Sequence, residues 1–182
     1  MKFDQSVIEK IKSSKKINII GCPGAGKSTL GKRLSKVLSL PVVFLDTIYW
    51  KPNWVSLPKD EFVNKMLEET KKESWIMDGN YEYCLEQRLD KADFNIYLDL
   101  STFTCLTSAY KRYFVYKNKS RSDMTEGCHE VMDKEFVSFI MSYNKKSRKV
   151  NYELLKKANV SYLILKSRKQ AHKLVKLLSS NN

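Results

Sequence analysis

Eight residues, Gly21-Cys22-Pro23-Gly24-Ala25-Gly26-Lys27-Ser28, constrain this chain more than anything else in it. They match the pattern G-x-x-x-x-G-K-[ST] at every required position. The apolar run Ile17-Asn18-Ile19-Ile20 leads into them as a buried parallel strand does, and residues 27–38 follow with Leu30, Leu34, Val37 and Leu38 at helical spacing. A strand that turns through glycines into a helix leaves the first helical amides unpartnered and aims them, with the helix dipole, at one place. The glycines let the backbone bend so that successive amides surround an anion. Such a loop cradles phosphate. Gly21 to Ser28, with Thr29 beside them, are therefore the expected site of a nucleoside triphosphate, read as ATP with Mg2+. Lys27 is expected to reach the β- and γ-phosphates, and the Ser28 hydroxyl the magnesium ion.

The rest of the chain repeats the alternation that opens it. An amphipathic stretch from Ser6 to Lys12 precedes the first strand. Residues 41–46 read as a second strand ending on Asp46, residues 75–79 as a third with its turn, and residues 94–99 as a fourth. Helical patterns cover residues 60–72 and, capped by Ser101 or Thr102, a stretch running to Tyr116. A basic stretch from Lys117 to Asp123 follows, then a long, broken helical region from Thr125 to Lys157, a fifth strand over 160–166 and a closing helix over 170–178. Five strands alternating with helices predict a three-layer α/β/α arrangement around a parallel sheet. Ligands of such sheets bind beyond the carboxyl ends of the strands, where Asp46, Asp78, Asp99 and the glycine loop all fall. No linker divides the 182 residues, so one domain over 1–182 is expected.

Composition excludes several classes. No stretch serves as a signal peptide or membrane span, which points to the cytoplasm. Cys22, Cys84, Cys105 and Cys128 stand too far apart for a zinc site, and buried thiols are expected. The net charge of +13 is uneven, with eleven Lys/Arg against Glu153 alone between residues 141 and 182. That balance favours polyanionic partners, nucleotides or nucleic acid. The lysines also sit mostly opposite apolar residues on helical patterns, as on a solvated face.

A magnesium-nucleotide site needs an acid at the end of a neighbouring strand. Asp78 is preferred, because an apolar strand leads straight to it and Gly79 follows; Asp99 remains the alternative. Asp46 can accept a proton from an attacking hydroxyl or hold that hydroxyl in place. The aromatic residues after it, Tyr49, Trp50 and Trp54, are suited to a substrate pocket or to ordinary packing. Cations are needed to neutralise a phosphoryl group in flight, and Arg88, Arg112, Arg121 and Arg148 lie in the connections. Arg121 stands in a segment that reads as a mobile flap.

These segments recur together in one family. The loop, Leu45-Asp46 with Tyr49-Trp50-Lys51-Pro52, residues 75–81 (Trp-Ile-Met-Asp-Gly-Asn-Tyr) and residues 121–128 (Arg-Ser-Asp-Met-Thr-Glu-Gly-Cys) resemble the adenylate-kinase-related DNA topology modulation (FlaR-type) proteins. The resemblance runs from about Ile17 to Leu178. It implies a P-loop NTPase fold, nucleoside-monophosphate-kinase-like, with a helical lid at roughly 117–128. It also implies that Asp78 neighbours magnesium, that Arg88 faces the acceptor, that Arg112 and Arg121 are lid arginines, and that Ser167-Arg168 flank the adenine. Adenylate kinases carry Asp-Gly-Phe-Pro-Arg where this chain has Asp78-Gly79-Asn80-Tyr81-Glu82, so the acceptor need not be a nucleoside monophosphate. Two readings follow: an ATP-dependent kinase acting on a nucleotide or small hydroxyl metabolite, and a DNA-associated regulator that uses the nucleotide as a switch. No DNA-reading motif is present. Asp46 beside an aromatic loop favours the kinase.

Overall fold

The computed structural model describes residues 3–117, 119 and 121–180. The expected flap of 117–128 thus includes two residues, Asn118 and Ser120, that lie outside the described set, as do the ends of the expected 1–182 domain.

In chain order the elements are α1 (Gln5–Ser13), β1 (Lys16–Gly21), α2 (Lys27–Leu38), β2 (Val42–Phe44), α3 (Leu45–Tyr49), β3 (Trp50–Lys51), β4 (Val55–Ser56), α4 (Lys59–Lys71), β5 (Trp75–Asp78), α5 (Leu85–Leu89), β6 (Phe94–Leu98), α6 (Thr102–Tyr116), α7 (Lys134–Lys157), β7 (Ser161–Leu165) and α8 (Arg168–Ser179). Five strands form a parallel sheet in the order β2-β5-β1-β6-β7. β1 is central, and only its first residue, Lys16, is not fully buried, which is why its sequence is apolar apart from Asn18.

The period-2 alternation of side chains sorts the core onto two faces. Ile17, Ile19, Ile76, Phe94 and Ile96 pack with Ile8 and Ile11 of α1, Leu30 and Leu34 of α2, and Leu174 and Leu178 of α8. On the other face Trp75 and Met77 meet Phe62 and Met66 of α4, while Ile20 and Tyr97 meet Leu85 and Leu89 of α5 and Leu155 of α7. The sheet is covered on both sides. Asn18, the polar interruption in β1, is held by its register partner Asn95, whose Oδ1 accepts from Asn18 Nδ2 at 2.9 Å. Among the described residues no helix is long and apolar enough to cross a membrane.

Two expectations are corrected. The second strand stops at Phe44, and Asp46 stands in the first turn of α3 rather than at a strand end. The helix expected from Thr125 begins only at Lys134, where Asp133 caps it by accepting from Phe136 N at 2.7 Å. Gly127, at a φ of 82° against Pro52, turns the preceding segment back onto the short β3–β4 hairpin. There Trp54 Nε1 donates to His129 O at 2.9 Å and Thr125 Oγ1 to Trp50 O at 2.6 Å. Tertiary contact has overridden local helical propensity in this stretch.

Candidate functional site

The glycine loop bends where β1 ends. Gly24, at a φ of 79°, lies so close to α6 that a Cβ there would come within 2.2 Å of Cys105 O, so no larger residue fits. Gly26 precedes α2 in the left-handed region at a φ of 99°, and no side chain caps the helix. The first amides of α2 are left for a ligand. Lys27 folds back over its own loop, with Nζ 3.3 Å from Cys22 O. Cys22 is buried with the other three free thiols, and together with Gly21 and Pro23 it forms the base of the loop.

Residues 24–29 open onto a cleft of about 690 Å³ whose opposite wall comes from α6, the 121–123 segment and α8. Lys27, Lys32, Lys111, Arg112, Arg121 and Arg168 line it, with Asp123 the acid among its described lining residues. The balance suits a polyphosphate. Arg168 donates to Gly24 O at 2.9 Å and to Ser108 Oγ, tying α8 to the loop. Ser167 instead caps α8, its Oγ accepting from Gln170 N at 3.2 Å. A more open hollow of about 770 Å³ lies at the amino-terminal end of β6 and β7, lined by Val7, Asp93 and Tyr162 among others. No glycine loop is among its described lining residues.

The two candidate magnesium-side acids, alike in sequence, differ in their surroundings. Asp99 Oδ2 accepts from Arg148 Nη2 at 2.7 Å and from Tyr152 Oη at 2.8 Å, so its carboxylate is engaged with α7. Asp78 sits beside Lys27 and Ser28; its Oδ1, like that of Asp99, is buried without a partner among the described residues, so the neighbours are what separate the two acids. Burial pushes Asp78 up to about 6, against the opposing pull of Lys27 and Ser28. A carboxylate oxygen left unmatched next to the loop hydroxyl fits a divalent cation.

That desolvated acid weakens the unliganded fold. Its pKa rises from 3.8 unfolded to about 6 folded, so its contribution to stability is complete below pH 3.8 and is lost as pH rises through 6. Asp78→Asn is therefore expected to gain about 3 kcal/mol over the parent between about pH 4 and pH 8. Thermal denaturation of both proteins at those two pH values checks this; a constant difference would refute it.

Beyond the loop, Tyr81 Oη donates to Asp46 Oδ1 at 2.6 Å. Tyr81 has a φ of 35°, a strained conformation for a residue with a side chain, and it follows the Asp78-Gly79-Asn80 turn. Arg88 holds that turn, donating to Gly79 O and, at 2.7 Å, to Asn80 O. The resemblance implies an arginine facing an acceptor, but Arg88 is 0% exposed, because α5 packs it beneath the turn. The aromatic residues after Asp46 pack on one another and on α4: Tyr49 lies 4.7 Å from Trp50 and 5.1 Å from Phe62, ring centre to ring centre.

Arg121, expected in a mobile flap, and Arg112, which the resemblance implies is a second lid arginine, both stand against acids. Arg121 donates to Asp123 Oδ2 at 2.8 Å and to Glu130, and Lys32 Nζ donates to Asp123 Oδ1 at 2.7 Å. Arg112 Nε stands 3.0 Å from Glu130 Oε1 without hydrogen-bonding alignment. Tyr81, Asp123 and Glu130 carry no sequence pattern that assigns them these contacts. Lys32 does carry one, because it follows Ser28 by one helical turn and shares its face.

No protein-family model matches this chain, and no curated protein matches it. Solved structures do. The shikimate kinase from Bacteroides thetaiotaomicron aligns with a TM-score of 0.57 at 17% identity, over 92% of this chain and 98% of its own. The shikimate kinase from Acinetobacter baumannii, in complex with shikimate, gives 0.54 at 15% identity over 96% and 98%. The deoxyadenosine kinase from M. mycoides with bound dATP gives 0.53 at 17% identity over 91% and 97%. At such identities the likeness is one of fold, and the fold of this chain is that of a P-loop NTPase of the nucleoside-monophosphate-kinase type.

Proposed function

We propose that this protein is an ATP-dependent kinase that transfers a γ-phosphoryl group to a hydroxyl of a nucleotide or small metabolite. Asp46 carries the proposal: it is an acid beside the phosphate loop that already accepts a hydroxyl, that of Tyr81. Its charge is felt by both Asp78 and Arg112. With Tyr81 on one oxygen, the other is available to a substrate hydroxyl. The acceptor oxygen forms its bond to the γ-phosphorus as the bond to the β-phosphate oxygen breaks, ADP leaves, and Asp46 takes the proton or holds the hydroxyl in line.

Gly21 to Thr29 hold the phosphates in this reading, Lys27 bridges the β- and γ-groups, and Arg112 and Arg121 face the terminal one. Arg168, with Ser167 at the start of α8, borders the nucleotide. Ser28 and Asp78 would hold Mg2+, whose chemistry is to neutralise charge on the β- and γ-oxygens. Arg88 acts from behind, by holding the turn that aims Tyr81. Residues 1–182 work as one kinase-like domain with 117–128 as its lid, in the cytoplasm, where ATP is supplied. The segments at 78–81 and 121–128 support membership of the DNA topology modulation (FlaR-type) family.

The test is γ-phosphate transfer from magnesium-ATP to a panel of nucleosides, nucleoside monophosphates and small hydroxyl metabolites. Shikimate and deoxyadenosine belong in it because the fold neighbours bear those names. Transfer to one acceptor class is the expected result. ATP binding with slow hydrolysis across the panel, together with salt-sensitive DNA binding, would replace the kinase by a nucleotide-dependent regulator.

A further inference from the structure

Glu130 lies between the 121–128 segment and α7, and its side chain is only 5% exposed. A carboxylate that deep needs strong partners. Arg121 Nη1 donates to its Oε1, and Arg112 Nε stands 3.0 Å from the same oxygen. One arginine comes from α6 and the other from the segment folded across the cleft, and both line that cleft. Arg121 also donates to Asp123, which takes Lys32 from α2. Cations and acids thus alternate along one chain, Arg112–Glu130–Arg121–Asp123–Lys32.

Two guanidinium groups on one wall repel each other. Burial first, and then the charge of Arg121, brings Arg112 down to about 10. A carboxylate behind the pair offsets that repulsion and fixes their spacing. Glu130 is not among the described residues that line the cleft, so its charge stands behind the arginines rather than toward an incoming phosphate. Each guanidinium has five N–H donors, more than these acids use.

We propose that Glu130 is a positioning residue that holds Arg112 and Arg121 together as a receptor for the terminal phosphate of a bound triphosphate, and so sets the preference for triphosphate over diphosphate. This rests on the nucleotide reading above. Calorimetric titration with magnesium-ATP and magnesium-ADP tests it without needing the acceptor. Glu130→Gln keeps the shape and removes the charge. It is expected to lower the ratio of ATP to ADP affinity about tenfold while ADP binding stays as in the parent. Glu130→Asp keeps the charge and should retain most of the ratio. Arg121→Gln should lose as much as Glu130→Gln, with little further loss when the two are combined.

An equal loss for ATP and ADP in Glu130→Gln would mean a merely structural role and overturn the proposal. Tighter ATP binding would overturn it too, because Glu130 would then be competing with the phosphate for the arginines. A parent chain that binds both nucleotides, with an unchanged ratio in Glu130→Gln, would refute the role of Glu130 alone. A parent that binds neither would overturn the nucleotide reading, and this inference with it.

Discussion

Lys27→Ala is expected to weaken binding of magnesium-ATP on the order of a hundredfold or more and to abolish phosphoryl transfer to any acceptor. The lysine Nζ rests 3.3 Å from one loop carbonyl, that of Cys22, a weak partner for an ammonium group. Two charge-assisted hydrogen bonds to phosphate oxygens would replace it, each worth about 1.5–3 kcal/mol. Among the described residues its charge acts on Asp78, whose carboxyl it helps to keep ionised, and on the Cys22 and Cys105 thiols, and it anchors no core packing. The variant should therefore fold, and its Asp78 should be still harder to ionise. Titration calorimetry with magnesium-ATP decides the matter. An affinity like the parent's would remove the loop from the site, and with it the basis of the kinase reading.

Asp46→Asn is expected to separate binding from chemistry. Asparagine retains a carbonyl oxygen where Tyr81 Oη now donates at 2.6 Å, so the turn after Asp78 keeps its shape. What it loses is the charge and the capacity to accept a proton. Binding of ATP should stay within about twofold, while transfer falls by about 10²–10⁴, the usual contribution of a positioned general base. Single-turnover transfer to the acceptor identified by the panel, set beside the ATP dissociation constant, makes the comparison. If both quantities fell together, Asp46 would belong to the nucleotide site or to the fold rather than to the acceptor.

Much of the architecture was legible in the sequence, because what defines it is local. Ile17 to Ile20, Trp75 to Met77 and Phe94 to Leu98 are apolar runs because each strand is buried on both faces. The phosphate loop is contiguous, so glycines, lysine and serine could be read at fixed offsets without knowing where the rest of the chain goes. The boundary at Phe44 was less legible. Residues 45–49 have the composition of a continuing strand, and their helix packs Leu45 and Tyr49 against the α4 side. The stretch from Thr125 to Asp133 misled for a similar reason, since its contacts are with the hairpin at 50–56 rather than within itself.

The loop, its helix and the alternation of strands were thus determined by the sequence alone, through burial periodicity and glycine conformation. The wall facing the loop was decided only in three dimensions. Arg168 meets Gly24 across 144 residues, Lys32 meets Asp123 across 91, and Tyr81 meets Asp46 across 35. Those pairs exist because the sheet runs β2-β5-β1-β6-β7 and brings distant strand ends to one edge. Asp78 and Asp99 show the difference most plainly. Both are acids that end an apolar strand, and no local pattern separates them. One neighbours Lys27 and Ser28 while the other is engaged by Arg148 and Tyr152, because a carboxylate's role follows from the charges around it, and those neighbours come from other elements of the fold.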